Sequence, residues 1–292
     1  MFKGAITAIV TPFRQNGDLD KESLVKLVEF QIKNKIEGLV PCGTTGESPT
    51  LDYGEHQKVI EIAIDAANGK VPIIAGTGSN SAREAIEMTR HAADAGADAS
   101  LQVCPYYNKP TQEGLYRHFS AIANAADIPI IIYNIQGRTA VNMETSTLAR
   151  LAKEHSSIIG VKEASGNISQ MMDVLNELPK NFDVLSGDDN MTLPLMALGG
   201  KGVISVASNI VPKEIHDLTQ HALNGNFEKA RSIHNRLLPL FKGIFIETNP
   251  IPIKAALAMK GMIKETYRLP MCEMKHDNRE KLRMILKGLK II

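Results

Sequence analysis

Eight short strand-like runs recur over the first 225 positions, and longer segments of helical periodicity separate them. The runs lie at 5–10, 38–42, 73–75, 99–104, 130–133, 159–162, 184–186 and 202–206. Between several of them apolar residues return at three- and four-residue spacing, as at 21–33, 56–67, 82–95, 113–125 and 143–154. In the first of these segments Leu24, Leu27, Val28 and Ile32 form one helical stripe. Asp20 and Ser81 stand where helix N-caps belong, and Gly96 and Gly225 follow helical stretches. Strands that alternate with helices pair in parallel, because each crossover helix returns the chain to the same end of the sheet. Eight such units predict an α/β fold, a (β/α)8 TIM barrel. A dinucleotide-binding sheet fits less well, since no G-x-G-x-x-G follows the first run. After residue 225 the strand pattern stops, and 227–242, 252–260 and 278–289 read as helices. The expected organisation is a barrel over 1–225 that carries the active site, and a C-terminal helical extension over 226–292 that serves packing or assembly.

The bulk properties exclude several functions. Thirty-three basic residues against 32 acidic ones leave a net charge of +1, which gives no electrostatic reason to bind nucleic acid or an anionic membrane. No apolar run approaches the length of a membrane span, and the first residues lead into a strand-like run without a signal region. Cys42, Cys104 and Cys272 are odd in number and far apart, which suits reduced thiols in a cytoplasm. No C-x-x-C or H-E-x-x-H suggests a metal site, and no cofactor is expected.

One apolar run ends in a lysine. In IIGVKEASG, residues 158–166, Ile158, Ile159 and Val161 read as a buried strand that delivers Lys162 just before a turn-like Ala-Ser-Gly. Desolvating an ammonium is costly, so a lysine here needs a reason. Lys162 could pair with an acid on a neighbouring strand; Glu163 is a poor partner, because adjacent strand residues face opposite ways. The strand could already have ended and left Lys162 in solvent. Or Lys162 is a nucleophile, since desolvation favours the neutral amine that attacks a carbonyl to form a Schiff base.

A barrel places its chemistry at the C-terminal ends of its strands. Here those ends carry CGTTGES (42–48), GTGSN (76–80), PYYNKP (105–110), YNIQGRT (133–139), Lys162, SGDD (186–189) and Ser205. Gly43 and Gly46 let the backbone approach a ligand, and Thr44 and Thr45 offer hydroxyls that could cradle a carboxylate; a plain Gly-Thr turn is the alternative. Tyr133 could carry protons to a carbinolamine or could be a core tyrosine. Arg138 could clamp a second carboxylate with its planar fork or could be a solvated loop residue. A phosphate site at Gly187 and Gly199-Gly200 is disfavoured, because Gly200 precedes the last strand.

The ordered set GTTGES, PYYNKP, YNIQGRT, GVKEASG and SGDD resembles the dihydrodipicolinate synthase family, within the pyruvate-dependent aldolases that include N-acetylneuraminate lyase. The resemblance covers nearly the whole chain. It implies that Lys162 forms a Schiff base with pyruvate, whose carboxylate binds Thr44 and Thr45 and the backbone at Gly187 and Ile204. Thr44, Tyr133 and Tyr107 would form a proton relay, with Tyr107 reaching into a neighbouring subunit. Arg138 would hold the carboxylate of L-aspartate 4-semialdehyde, the second substrate, in lysine and diaminopimelate biosynthesis. A homotetramer, a dimer of tight dimers, is implied, and two adjacent tyrosines that cannot both face one barrel mouth fit it. Feedback inhibition by L-lysine is implied too, at Ser48, Pro49, His56, Asn80, Glu84 and Tyr106.

The chain departs from the family pattern at two positions. Gln136 stands where the family commonly has proline, which predicts a looser or redirected turn at Arg138. Tyr53 stands where several relatives carry histidine, beside the lysine cleft. Sister lyases share Lys162 and Tyr133, but they usually lack Arg138 and read Gly-Ser-Thr-Gly-Glu at the loop. A silent barrel that senses a metabolite is the remaining alternative, and a turnover assay separates it from an enzyme.

Overall fold

Each of the eight predicted runs forms a strand in the computed structural model, which describes residues 2–292. They are β1 (Gly4–Ala8), β2 (Gly38–Val40), β3 (Ile74–Gly76), β4 (Ala99–Val103), β5 (Ile130–Asn134), β6 (Ile158–Glu163), β7 (Asp183–Ser186) and β8 (Gly202–Ser205). All pair in parallel in the order β2-β1-β8-β7-β6-β5-β4-β3. Between β2 and β3 a single bridge, Leu39 to Ile73, brings the sheet round on itself. The Leu39 N–H donates to Pro72 O at 3.0 Å, and the Gly76 N–H donates to Pro41 O at 2.9 Å. The result is a nearly closed TIM barrel whose seam joins its two shortest strands.

The period-two alternation of the strands sorts side chains into two layers. On β5, Ile131 and Tyr133 point inward and pack with Ile6, Val40, Ile74, Leu101, Leu185 and Ile204. Ile130 and Ile132 point outward and pack with Leu115 and Phe119 under the helices. Val161 follows the outward layer on β6, so Lys162 falls in the inner one.

Local signals fix the helices. Helix α1 (Lys21–Lys33) is capped by Asp20, whose carboxylate accepts from the Ser23 N–H at 3.1 Å. Helix α2 (Tyr53–Ala67) starts earlier than the apolar stripe predicts, because Asp52 and Glu55 form a capping box. Helix α3 (Ala82–Asp94) starts after Ser81, whose side chain makes no cap bond. Helices α4 (Gln112–Ala125), α5 (Gln136–Thr139, a single turn) and α6 (Thr145–Glu154) follow. Helices α7 (Ile168–Glu177), α8 (Thr192–Ala197) and α9 (Pro212–Leu223) complete the ring; of these the sequence marked only the last, as the helical stretch before Gly225.

The C-terminal region forms α10 (Phe227–Gly243), α11 (Ile251–Met259) and α12 (His276–Gly288). Its Leu237, Leu240, Phe241, Ile253, Leu282 and Leu286 share one apolar cluster with Leu24, Leu39, Val59 and Val203 of the barrel. Barrel and C-terminal helices therefore bury a common core. Among the described residues no helix is long and apolar enough to cross a membrane.

Candidate active site

Lys162 is 5% exposed, so β6 has not ended in solvent. Glu163 faces away. Its carboxylate accepts from the Asn134 side chain at 3.1 Å and from the Ser165 N–H at 2.7 Å. Among the described residues no acid lies within ion-pair distance of Lys162 and no side chain or carbonyl hydrogen-bonds to it. Its nearest aromatic contact is Tyr133, whose ring centroid lies 4.1 Å from Nζ. The two residues are register partners on β5 and β6, which places them on the same inner face. Burial pulls the Lys162 amine down to about 7; Asp189 and Asp188 hold it from falling further, and Arg138 lowers it.

Asp189 does not neutralise the lysine. It accepts from the Ser205 hydroxyl at 2.5 Å and from the N–H groups of Val206 and Ala207 at 3.0 and 2.9 Å. Burial pushes its carboxyl up to about 6 in spite of these bonds. Tyr133 is equally buried, and burial raises its phenol to about 12; the nearby Arg138 charge and the Thr44 hydroxyl work against that rise. Lys162 thus reaches its nucleophilic form near neutral pH, while Tyr133 keeps its proton to give.

The loop after β2 turns tightly at Gly43–Gly46, where the Gly46 N–H donates to Gly43 O at 3.0 Å. Thr44 lies on the wall of a cavity of about 490 Å³ together with Tyr133 and Arg138. Thr45, the next residue, is 2% exposed. Its Oγ1 accepts from Asn249 Nδ2 at 3.0 Å. Arg138 sits on the single turn α5, and its Nη2 donates to the backbone O of the same Asn249 at 3.2 Å. Gln136 does not loosen this turn: the Arg138 and Thr139 N–H groups both donate to Ile135 O, and the Ala140 N–H donates to Gln136 O.

The other expected residues fall in three places. Lys162, Gly187 and Ile204 are not on that cavity's wall; Ile204 packs in the inner layer of the barrel, and Gly187 lies against the Lys162 side chain. The Gly187 N–H is occupied, since it donates to Glu163 O at 2.8 Å, so it has none to offer a carboxylate. What Gly187 supplies is room, because a Cβ there would lie 3.1 Å from Lys162 Cε. Ser48, Pro49, His56, Glu84 and Tyr106 line the same cavity as Thr44 and Arg138, rather than a separate cleft within this chain. His56 Nε2 lies 2.9 Å from Gly76 O, and its buried Nδ1 has no protein partner.

Asn80 is not on the cavity wall. Helix α3 begins only at Ala82, so Asn80 and Glu84 do not share a helix face. The Asn80 side chain donates instead to Tyr106 O at 3.1 Å. Tyr107 is 91% exposed, at φ +70, and is not on the cavity wall. Of the two adjacent tyrosines only Tyr106 lines the cavity.

Sequence reasoning missed Asn249 and Lys254. Both come from the C-terminal region, and both reach the loop that carries Thr44 and Thr45. Asn249-Pro250 reads as a turn signal before a helix. Nothing in it announces a contact with Thr45, 204 residues earlier.

A buried, unpaired lysine amine whose charge burial disfavours, with a tyrosine beside it at the C-terminal ends of neighbouring barrel strands, fits the lyase of the class I aldolase type that the family match shows. The chain belongs to the dihydrodipicolinate synthetase family, whose model matches residues 1–289. It is 54% identical over 292 residues to the 4-hydroxy-tetrahydrodipicolinate synthase of Hydrogenobaculum sp. (strain Y04AAS1), covering 100% of both chains. It is 56% identical to the 4-hydroxy-tetrahydrodipicolinate synthase of Syntrophus aciditrophicus (strain SB), again over 100% of both. Two solved structures are similar and hold ligands. The chloride inhibited dihydrodipicolinate synthase from Acinetobacter baumannii, complexed with pyruvate, matches at TM-score 0.98 and 46% identity over 100% of each chain. DHDPS from Cyanidioschyzon merolae with lysine bound matches at TM-score 0.97 and 42% identity, over 100% of this chain and 99% of that one.

Proposed function

We propose that this chain condenses pyruvate with L-aspartate 4-semialdehyde through a Schiff base on Lys162, the reaction of a 4-hydroxy-tetrahydrodipicolinate synthase in lysine and diaminopimelate biosynthesis. The observation that carries the reading is the unpaired, buried Lys162 amine, pulled down to about 7, beside Tyr133. The relatives' activity and the pyruvate-bound neighbour support the choice of substrate.

The neutral Nζ attacks C2 of pyruvate and forms a carbinolamine. Tyr133 delivers the proton with which the hydroxyl leaves as water, giving the protonated imine. That imine is an electron sink, so a methyl proton is lost and an enamine forms. The enamine carbon adds to the aldehyde carbon of the second substrate, whose oxygen takes up a proton. The substrate's own amine then displaces Lys162 by transimination, which closes the ring and frees the enzyme. Thr44 and Thr45 hold the pyruvate carboxylate with their hydroxyls, and Arg138 holds that of the aldehyde. Thr44, Tyr133 and Tyr107 of a neighbouring subunit relay protons. The exposure of Tyr107 supports this lending between subunits and a homotetramer built from tight dimers. Three free thiols suit a cytoplasmic enzyme.

Activity with pyruvate against a panel of aldehydes tests the assignment, and preference for any other aldehyde would overturn it. Arg138→Ala is expected to raise KM for L-aspartate 4-semialdehyde about ten- to a hundredfold, the usual cost of losing a charged hydrogen-bond partner. Pyruvate kinetics should move far less. Unchanged aldehyde kinetics would assign that carboxylate to another residue.

L-Lysine is the proposed inhibitor, with its ammonium on Glu84 and its carboxylate near Tyr106; Ser48, Pro49 and His56 line its place, and Asn80 braces Tyr106. The lysine-bound neighbour supports the ligand, and the cavity walls support the placement. Millimolar L-lysine should inhibit turnover, and Glu84→Ala should weaken that inhibition about tenfold. Equal inhibition of the variant would refute the ammonium site.

A further inference from the structure

We infer that Asn249 is a positioning residue that turns the Thr45 hydroxyl into a dedicated donor for the pyruvate carboxylate; the inference rests on the reaction proposed above. Asn249 is 5% exposed and lies in the segment that leads into α11. Its Nδ2 donates to Thr45 Oγ1 at 3.0 Å. A hydroxyl that accepts a hydrogen bond keeps its own proton to give. Among the described residues no protein group accepts that proton, so it is left for a ligand.

The same residue steadies the second carboxylate group by a different atom. Arg138 Nη2 donates to its backbone O at 3.2 Å. A side-chain substitution therefore removes the Thr45 contact and leaves the Arg138 contact in place.

The segment that carries Asn249 is anchored against the same loop. Lys254 on α11 makes a fully buried ion pair with Glu47, two residues beyond Thr45. Arg268 donates to Thr50 O at 2.8 Å and forms a two-bonded pair with Glu55. The C-terminal region thus grips the loop at Thr45, Glu47 and Thr50. It is part of the catalytic unit and does more than pack against it.

Asn249→Asp keeps the shape but reverses the bond, because a carboxylate accepts the Thr45 proton and adds a charge that repels the substrate's own. KM for pyruvate, and the pyruvate concentration that half-saturates borohydride trapping on Lys162, should rise about tenfold. The aldehyde KM, and kcat at saturating pyruvate, should stay close to wild type. A residue that only supports the fold would lower the melting temperature and kcat without moving pyruvate half-saturation, and that outcome overturns the inference.

A second test does not depend on the aspartate variant folding. Asn249→Ala should weaken pyruvate binding in the wild-type background and add little in a Thr45→Ala background, since the effect runs through Thr45. Additive losses would overturn it. Failure of the wild-type chain to trap pyruvate would sink the proposed reaction itself. Unchanged half-saturation in a trapping-competent Asn249→Asp would sink this inference alone.

Discussion

Lys162→Ala is expected to abolish turnover, by at least about a thousandfold, or some 4 kcal/mol of barrier. Among the described residues no other buried lysine is free to take over. Lys254, the other buried lysine among the described residues, is held by Glu47. The fold should survive, because Lys162 makes no hydrogen bond or ion pair that its loss would orphan. A volume-conserving variant, Lys162→Met, is expected to melt higher than the wild type at neutral pH. The sign follows from the proton. An unfolded lysine binds its proton below about 10.5, whereas the folded one lets go near 7. Folding is therefore disfavoured as pH drops through that window, and the penalty is at its full extent below about 7. Replacement removes it, so the gain in melting temperature should shrink as pH approaches 10. In the wild-type chain, pseudo-first-order imine formation should rise with pH through about 7 and then level off. A limb near 10 would mean that the amine is not desolvated in solution.

The largest effect on stability is expected at the Lys254–Glu47 pair. Lys254, on α11, is wholly buried, with its Nζ 4.3 Å from the Phe13 ring centroid. Glu47 is nearly as buried, and its Oε2 has no partner. Removing one member leaves an uncompensated charge where water cannot reach it. Lys254→Met should cost about 3–5 kcal/mol in denaturant unfolding. Replacing both, with Glu47→Leu added, should recover much of that loss, since a well-packed apolar pair avoids the desolvation of two ions. A single variant that costs under about 1 kcal/mol would show that the pair is not ionised. Glu47 belongs to the loop of Thr44 and Thr45, so the single variant should also weaken pyruvate binding before it unfolds.

The barrel was legible because each of its strands is a short, mostly apolar run set between helical segments, and the parallel order follows once helices alternate with strands. Lys162 was legible for a related reason. An apolar run ending in lysine is anomalous, and period-two alternation already sends Glu163 the other way. Boundaries set by caps were harder to read: α2 begins at Tyr53 because of the Asp52–Glu55 box, which an apolar stripe does not reveal. Asn80 and Glu84 illustrate the same difficulty, since their spacing of four means a shared face only inside a helix, and α3 starts between them. Gly187 was expected to help through its backbone, but its N–H was already committed to Glu163. Contacts across the sequence were invisible altogether. Asn249 and Lys254 reach Thr45 and Glu47 from more than 200 residues away, and neither carries a motif. Their role depends on the common core that draws the C-terminal helices onto the barrel.

The most direct test of the account is borohydride reduction of the protein in the presence of pyruvate, followed by peptide mass spectrometry. Reduction freezes an imine as a stable secondary amine. The account predicts a reduced three-carbon adduct on the peptide that carries Lys162 and on no other lysine, appearing in parallel with loss of turnover. An unmodified Lys162 in a preparation that turns over, or an adduct on a different lysine, would contradict it.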